Sequence, residues 1–272
     1  MVKKFIIFLC ISTFAFATLV EDKVESFIGE KAYKTQKNLI RVLFQNDSKY
    51  FRNDGTIDDV KVLTKLKESG LLKLFYSKPI QLNLTFSTKR NGLIFMRVIN
   101  ESMESMGYNY FLTKRAVKKE DSFIWSIVIS TEHMVDPLIL SKRLNARGCF
   151  LESVERKTEN EWVYEINSEN IKIDSLKIEP NDKVRLKKPI KPYWIDMENI
   201  KSISFGSAIA DRWHPKIVFY DDKLYIIKDY NSDRATNRLK LKVPQDAKYV
   251  KVTDIYSLNN IKRGLSIYLI GR

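Results

Sequence analysis

Residues 80–113, IQLNLTFSTKRNGLIFMRVINESMESMGYNYFLT, decide how this chain is read. Ile80, Leu82, Leu84 and Phe86 alternate with Gln81, Asn83, Thr85 and Ser87, the period of two that a strand with one buried face requires. The period then lengthens. Phe95, Val98, Ile99 and Met106 fall on one stripe of a helix, Gly107 stands where the last turn wants a left-handed residue, and Tyr108 to Thr113 reads as a strand. The same order returns at once. Phe123, Trp125, Ile127 and Ile129 alternate, Asp136-Pro137 supplies a cap and first turn for a helix bearing Leu140 and Leu144, and Gly148 ends that helix before a strand containing Phe150 and Val154. Two strand-helix-strand halves, with helix-ending glycines 41 residues apart, predict a ferredoxin-like βαββαβ module over residues 80–168. Trp162 to Ile166 should extend its sheet as a hairpin partner.

Working outward, residues 18–79 form an N-terminal helical segment. Val24, Phe27, Ile28, Leu39, Ile40, Leu43 and Phe44 recur at helical spacings with lysines opposite them. Thr56 and Asp59 are spaced as a capping box, Val60, Leu63 and Leu66 make an apolar stripe, and Gly70 closes that helix. Beyond residue 168 only strand signals remain: Ile171 to Ile173, Val184 to Leu186, Ile200 to Phe205, Ile217 to Tyr220, Leu224 to Ile227, Leu239 to Val243, Val250 to Tyr256 and Leu265 to Ile270. Short alternating runs separated by turns predict a β-sandwich over residues 169–272, so the class is α+β.

Two of those strands are basic on one side. Lys183, Arg185 and Lys187 alternate with Val184 and Leu186, and Arg238, Lys240 and Lys242 alternate with Leu239, Leu241 and Val243. Strand geometry sends each trio to one face, which is either a solvated sheet face or a surface for anionic lipid, peptide-stem carboxylates or an acidic protein.

The N-terminus carries the location. Lys3 and Lys4 precede a 12-residue mostly apolar run, Phe5 to Phe16, and Ala15-Phe16-Ala17 has the small-x-small pattern of a signal-peptidase site. The run falls short of the roughly 20 residues that a membrane span needs. Residues 1–17 therefore read as a signal peptide cleaved after Ala17, and the mature chain as periplasmic. Phe8 and Leu9 before Cys10 are too large for a lipobox. Cleavage leaves 255 residues, the single thiol of Cys149, and 45 Lys and Arg against 33 Asp and Glu, a net charge of +12. One thiol forms no internal disulfide, and export argues against nucleic acid as the partner of so basic a chain.

Catalytic chemistry has little inventory. The two histidines, His133 and His214, lack a second histidine at i+4, no Gly-x-Ser-x-Gly occurs, and no Gly-rich phosphate loop is present, so neither metal nor cofactor is expected. Ser207 to Pro215 gathers Asp211, Arg212, Trp213 and His214 in one inter-strand connection. Arg212, Trp213 and His214 are candidates for a sugar- or protein-binding hot spot; the simpler reading has Trp213 plugging the sandwich with Asp211 paired to Arg212. A hydrolase centred on Asp211 and His214 is the lesser alternative.

Helices ending in Met-Gly-Tyr (Met106 to Tyr108) and Arg-Gly-Cys (Arg147 to Cys149), each between strands, resemble the two halves of SPOR-type peptidoglycan-binding domains of bacterial envelopes. The likeness spans residues 80–157 and is one of element order; secretin N-domains and POTRA domains share it. The polar loop Thr88 to Gly92 departs from the SPOR pattern, so no carbohydrate contacts carry over. The whole chain is similar to periplasmic proteins of polar-flagellated proteobacteria, whose motors carry additional periplasmic disks. The resemblance implies a non-enzymatic binding or scaffold protein of the envelope, with motor components among its partners; peptidoglycan binding is the alternative.

Overall fold

The alternation at residues 80–88 forms the second half of a 14-residue strand, β1 (Phe75–Thr88), in which Leu82, Leu84 and Phe86 are fully buried. The computed structural model describes residues 19–89 and 92–272, and the chain divides after Lys172 into two compact units. The expected signal peptide, with its expected cleavage site and Cys10, falls outside the described residues, as do Arg90 and Asn91 of the Thr88-to-Gly92 loop. The class is α+β, as the sequence predicts.

In the first unit, residues 19–28 are helical (α1) and Gly29, at φ +86°, separates them from α2 (Glu30–Leu43). Helix α3 (Asp59–Glu68) buries Val62, Leu63 and Leu66. Its cap differs from the Thr56/Asp59 box: the Asp58 side chain accepts from Lys61 N–H, while Thr56 bonds to Asp54. Asp59 turns inward, where its carboxylate accepts from the backbone N–H of Val154 at 2.6 Å and meets Lys23 Nζ at 3.1 Å. Burial raises its pKa against those stabilising contacts.

After β1 come α4 (Gly92–Ser105), β2 (Leu112–Lys118), β3 (Phe123–His133), α5 (Pro137–Asn145), β4 (Phe150–Thr158) and β5 (Glu161–Asn167). The strand expected from Tyr108 begins at Leu112, because Tyr108 is used to end the helix. Its N–H donates to Met103 O, and its hydroxyl donates to Met134 O. Asp136 caps α5 through Leu138 and Ile139 N–H, and Gly107 and Gly148 are left-handed at φ +93° and +70°, as a helix-ending glycine should be.

The sheet order is β2-β3-β1-β5-β4. β3 pairs antiparallel with β1 and with β2, and the hairpin strand β5 does not extend the edge: it enters between β1 and β4, parallel to β1, with Leu84 opposite Trp162 and Phe86 opposite Tyr164. Composition explains the exchange of places. β5 buries Trp162, Tyr164 and Ile166 and suits an interior position, whereas β4, FLESVERKT, carries four charged residues that suit an edge. Asn160 in the β4–β5 turn fixes the junction, its carbonyl accepting from Asn83 N–H at 2.8 Å and its amide donating to Gln81 O. Phe27 of α1 stacks on Trp162 at 6.2 Å, and Arg156 lies over the same indole while donating to Phe27 O.

The second unit holds β6 (Lys183–Arg185), β7 (Tyr193–Asp196), β8 (Ile200–Ser207), β9 (Pro215–Tyr220), β10 (Ile226–Asn231), β11 (Arg238–Lys242), β12 (Tyr249–Asp254) and β13 (Leu265–Gly271). They form two four-stranded antiparallel sheets, β10-β9-β12-β7 and β11-β8-β13-β6. Residues from both sheets, among them Phe205, Phe219, Val252 and Ile267, build one core. Residues 171–173, expected as a strand, belong to neither a strand nor a helix.

The two helix-ending glycines separate strain from collision. A Cβ on Gly148 would stand 2.1 Å from Asn170 O, whereas one on Gly107 meets nothing within 4 Å. Gly107→Ala should cost about 1–2 kcal/mol of left-handed strain and Gly148→Ala clearly more, read as urea midpoints at constant m-value. Equal losses would refute the close approach at Asn170.

Candidate anion-binding face

Both basic trios fall in the sheet β11-β8-β13-β6, on its two opposite edge strands. Directly opposed residues of antiparallel strands share a face, so the register states what lies between them. Arg238 is opposite Gly206, Gly206 opposite Ser266, and Ser266 opposite Arg185. Two residues further along the strands Lys240, Ser204, Tyr268 and Lys183 follow one another across the sheet, and after two more Lys242, Ser202 and Ile270, so each edge strand carries its own row of cations. The outer face is a floor of serine and glycine with Tyr268 rising from it, bordered by cations on both sides. Lys187 lies just past the end of β6 but keeps the alternation, since Leu186 faces the core and Lys187 is exposed. The inner face of the same strands carries Leu239, Leu241, Phe205, Ile203, Ile267, Leu269 and Val184.

The charge on this face is uncompensated. None of the six side chains enters an ion pair among the described residues; Arg185 is laid across the sheet by Ser266 Oγ at 3.4 Å and Arg263 O at 3.2 Å. Elsewhere in the unit basic residues do find acids: Lys248 bonds to Glu198 and lies 3.8 Å from Asp196. Residues 173–272 carry 20 Lys and Arg against 12 Asp and Glu, an excess of eight positive charges. Alternate residues on a strand are about 6.7 Å apart, inside the Debye length of about 8 Å at physiological salt. Charges within a row therefore reinforce one another. The two rows are three strand spacings apart, about 14 Å, and are largely screened from each other.

The Ser207-to-Pro215 connection is built for packing. Trp213 is fully buried, donates Nε1–H to Thr253 O at 2.9 Å and meets Phe205 edge-on, so it plugs the sandwich and has no face to offer a sugar. Asp211 is buried and does not pair with Arg212; it accepts from Arg263 Nη1 at 2.8 Å and from the Arg263 backbone N–H at 3.0 Å. A guanidinium 52 residues away in sequence wins: Arg263 reaches the Asp211 carboxylate, while Arg212 is exposed. His214 packs edge-on against Tyr256, with Nδ1 3.7 Å from Asp254 Oδ2. Asp254 accepts from the N–H groups of His214, Tyr256 and Ser257 and from the Asn260 amide. Burial works against its charged form, but these bonds outweigh it and hold its pKa below the usual carboxylate value. Asp211 and Asp254 are thus each consumed by fixed donors. Of the hot-spot candidates, Arg212 alone is exposed.

His133 stacks edge-on with Phe75. Cys149 is buried, and desolvation pushes its thiol up to about 12, which keeps it protonated and unreactive.

No protein-family model and no curated protein matches the chain. Among solved structures it is similar to one described as the crystal structure of accessory secretory protein 1, 2 and 3 in Streptococcus pneumoniae, at 12% identity, over 35% of this chain and 82% of that one, with a TM-score of 0.22. A likeness of that size bears on neither fold nor function.

Two outcomes follow from the plug. Trp213→Ala should lower stability by about 3–5 kcal/mol, as removal of a fully buried indole does, while Arg212→Ala should stay within about 0.5 kcal/mol; chemical unfolding of both variants measures this. Because the folded pKa of Asp254 is depressed, its contribution is complete above the unfolded carboxylate range and is lost as pH falls through the folded value. The unfolding midpoint of the natural protein should therefore fall more steeply between about pH 5 and pH 2 than that of Asp254→Asn.

Proposed function

We propose that this protein is a non-enzymatic binding and scaffold protein of the bacterial envelope, exported to the periplasm, and that it holds an acidic partner on the outer face of the β11-β8-β13-β6 sheet. The observation that supports this reading is the pairing of two unneutralised basic rows across a floor of small residues. A floor of Ser202, Ser204, Gly206 and Ser266 lets a partner's backbone or carboxylates come close, and the lysines at the borders reach up around it. Rows about 14 Å apart suit a partner broad enough to touch both, such as an acidic protein surface of an envelope assembly, a flagellar motor among them. Peptidoglycan, with its peptide carboxylates, is the runner-up.

The test reverses one row. Arg238→Glu/Lys240→Glu/Lys242→Glu should leave the circular dichroism spectrum unchanged, since all three side chains are exposed, and should abolish capture of an acidic protein from gently solubilised envelopes. The natural protein's capture should also fall by about tenfold or more when salt is raised severalfold, because the contacts are surface charges. Retention on purified sacculi that the triple variant loses would move the partner to peptidoglycan. Equal recovery by natural and variant proteins would reject the basic face as the binding surface.

A further inference from the structure

At one end of the second unit a cleft of about 620 Å³ opens where β10 and β11, edge strands of the two sheets, approach the end of β13. Its charged side chains are all cationic, Lys201 from β8, Lys228 from β10, Lys242 from β11 and Arg272 beyond β13, with Val243, Pro244 and Gln245 completing the wall. Lys201, Lys228 and Lys242 make no side-chain hydrogen bond or ion pair among the described residues. Arg272 is held by neutral acceptors only: Nε donates to Ile200 O at 3.2 Å, and Nη2 donates to Pro244 O at 2.9 Å and Gln245 O at 3.1 Å. Its plane is thereby fixed, and Nη1 has no protein acceptor among the described residues.

Four like side-chain charges around one opening repel one another, and no Asp or Glu side chain lines the cleft to offset the repulsion. We propose that this cleft binds a phosphoryl group. A carboxylate would bring one negative charge and two acceptor oxygens. A phosphate monoester brings about −1.5 to −2 and three acceptor oxygens, matching three mobile ammonium donors and one planar guanidinium. Lys201 and Lys228 belong to neither row of the outer face, so the site stands apart from the docking surface, with Lys242 as their common border.

Isothermal titration of the full mature chain with inorganic phosphate should give saturable binding, with acetate at least tenfold weaker. Lys201→Gln/Lys228→Gln should weaken the phosphate affinity at least tenfold, while Lys183→Gln/Arg185→Gln, on the opposite border of the outer face, should leave it unchanged. The source of the group is read with vesicles of phosphatidylglycerol against vesicles of phosphatidylcholine. Retention on the former that the Lys201/Lys228 variant loses assigns the group to a lipid headgroup, and phosphate binding without vesicle retention assigns it to a soluble phosphate or phosphoester. Absence of saturable phosphate binding, acetate binding as tight as phosphate, or a double variant that binds as well as the natural protein would overturn the proposal.

Discussion

The pleat of the β-strand is the constraint on which the second unit depends. Successive side chains must leave a strand on opposite sides, so a sequence that places Leu239 and Leu241 in the core has no choice but to place Arg238, Lys240 and Lys242 in water. The basic face and the hydrophobic core are one decision taken twice per strand. Burying an aliphatic side chain is worth about 1.5–3 kcal/mol, whereas exposed like charges a strand-step apart cost much less. The core term therefore sets the register and the charged rows come with it, free to be used for recognition.

Strands and helix ends whose signals are local were legible in the sequence. The period-two runs of β1 and β3, the Asp136 cap and the left-handed glycines after α4 and α5 each depend on residues within one or two turns of each other. Where the sequence reading departs from the structure, a distant residue decides. Asp59 looks like the third position of a capping box, but Val154, 95 positions later, offers a buried N–H that draws it inward. Asp211 looks paired to its neighbour Arg212, but Arg263, 52 positions later, reaches it. The place of β5 inside the sheet depends on how Trp162 and Tyr164 pack against Leu84 and Phe86, a comparison between strands that alternation within one strand does not contain.

The candidate site divides along the same line. Each basic trio could be read from its own strand, yet their assembly into two borders of one face required the order β11-β8-β13-β6, and the cleft lined by Lys201, Lys228, Lys242 and Arg272 draws on residues from four separate segments. Trp213 shows the opposite case. A tryptophan beside an arginine in a connecting segment has the composition of a contact surface, and only its complete burial with a satisfied indole N–H identifies it as part of the core.

The interior position of β5 also orders events in time. A chain delivered from its N-terminus can pair β1 with β3 as soon as residue 133 has emerged, but the other edge of β1 stays open until residues 161–167 arrive, because the strand that closes it is the last of the sheet to be made. β4 emerges earlier and is polar, which makes it a poor false partner for that open edge. The order in which the strands are written thus protects the nascent sheet: the segment able to seal β1 comes directly behind one unsuited to usurp its place, joined to it by a turn whose Asn160 binds β1 itself.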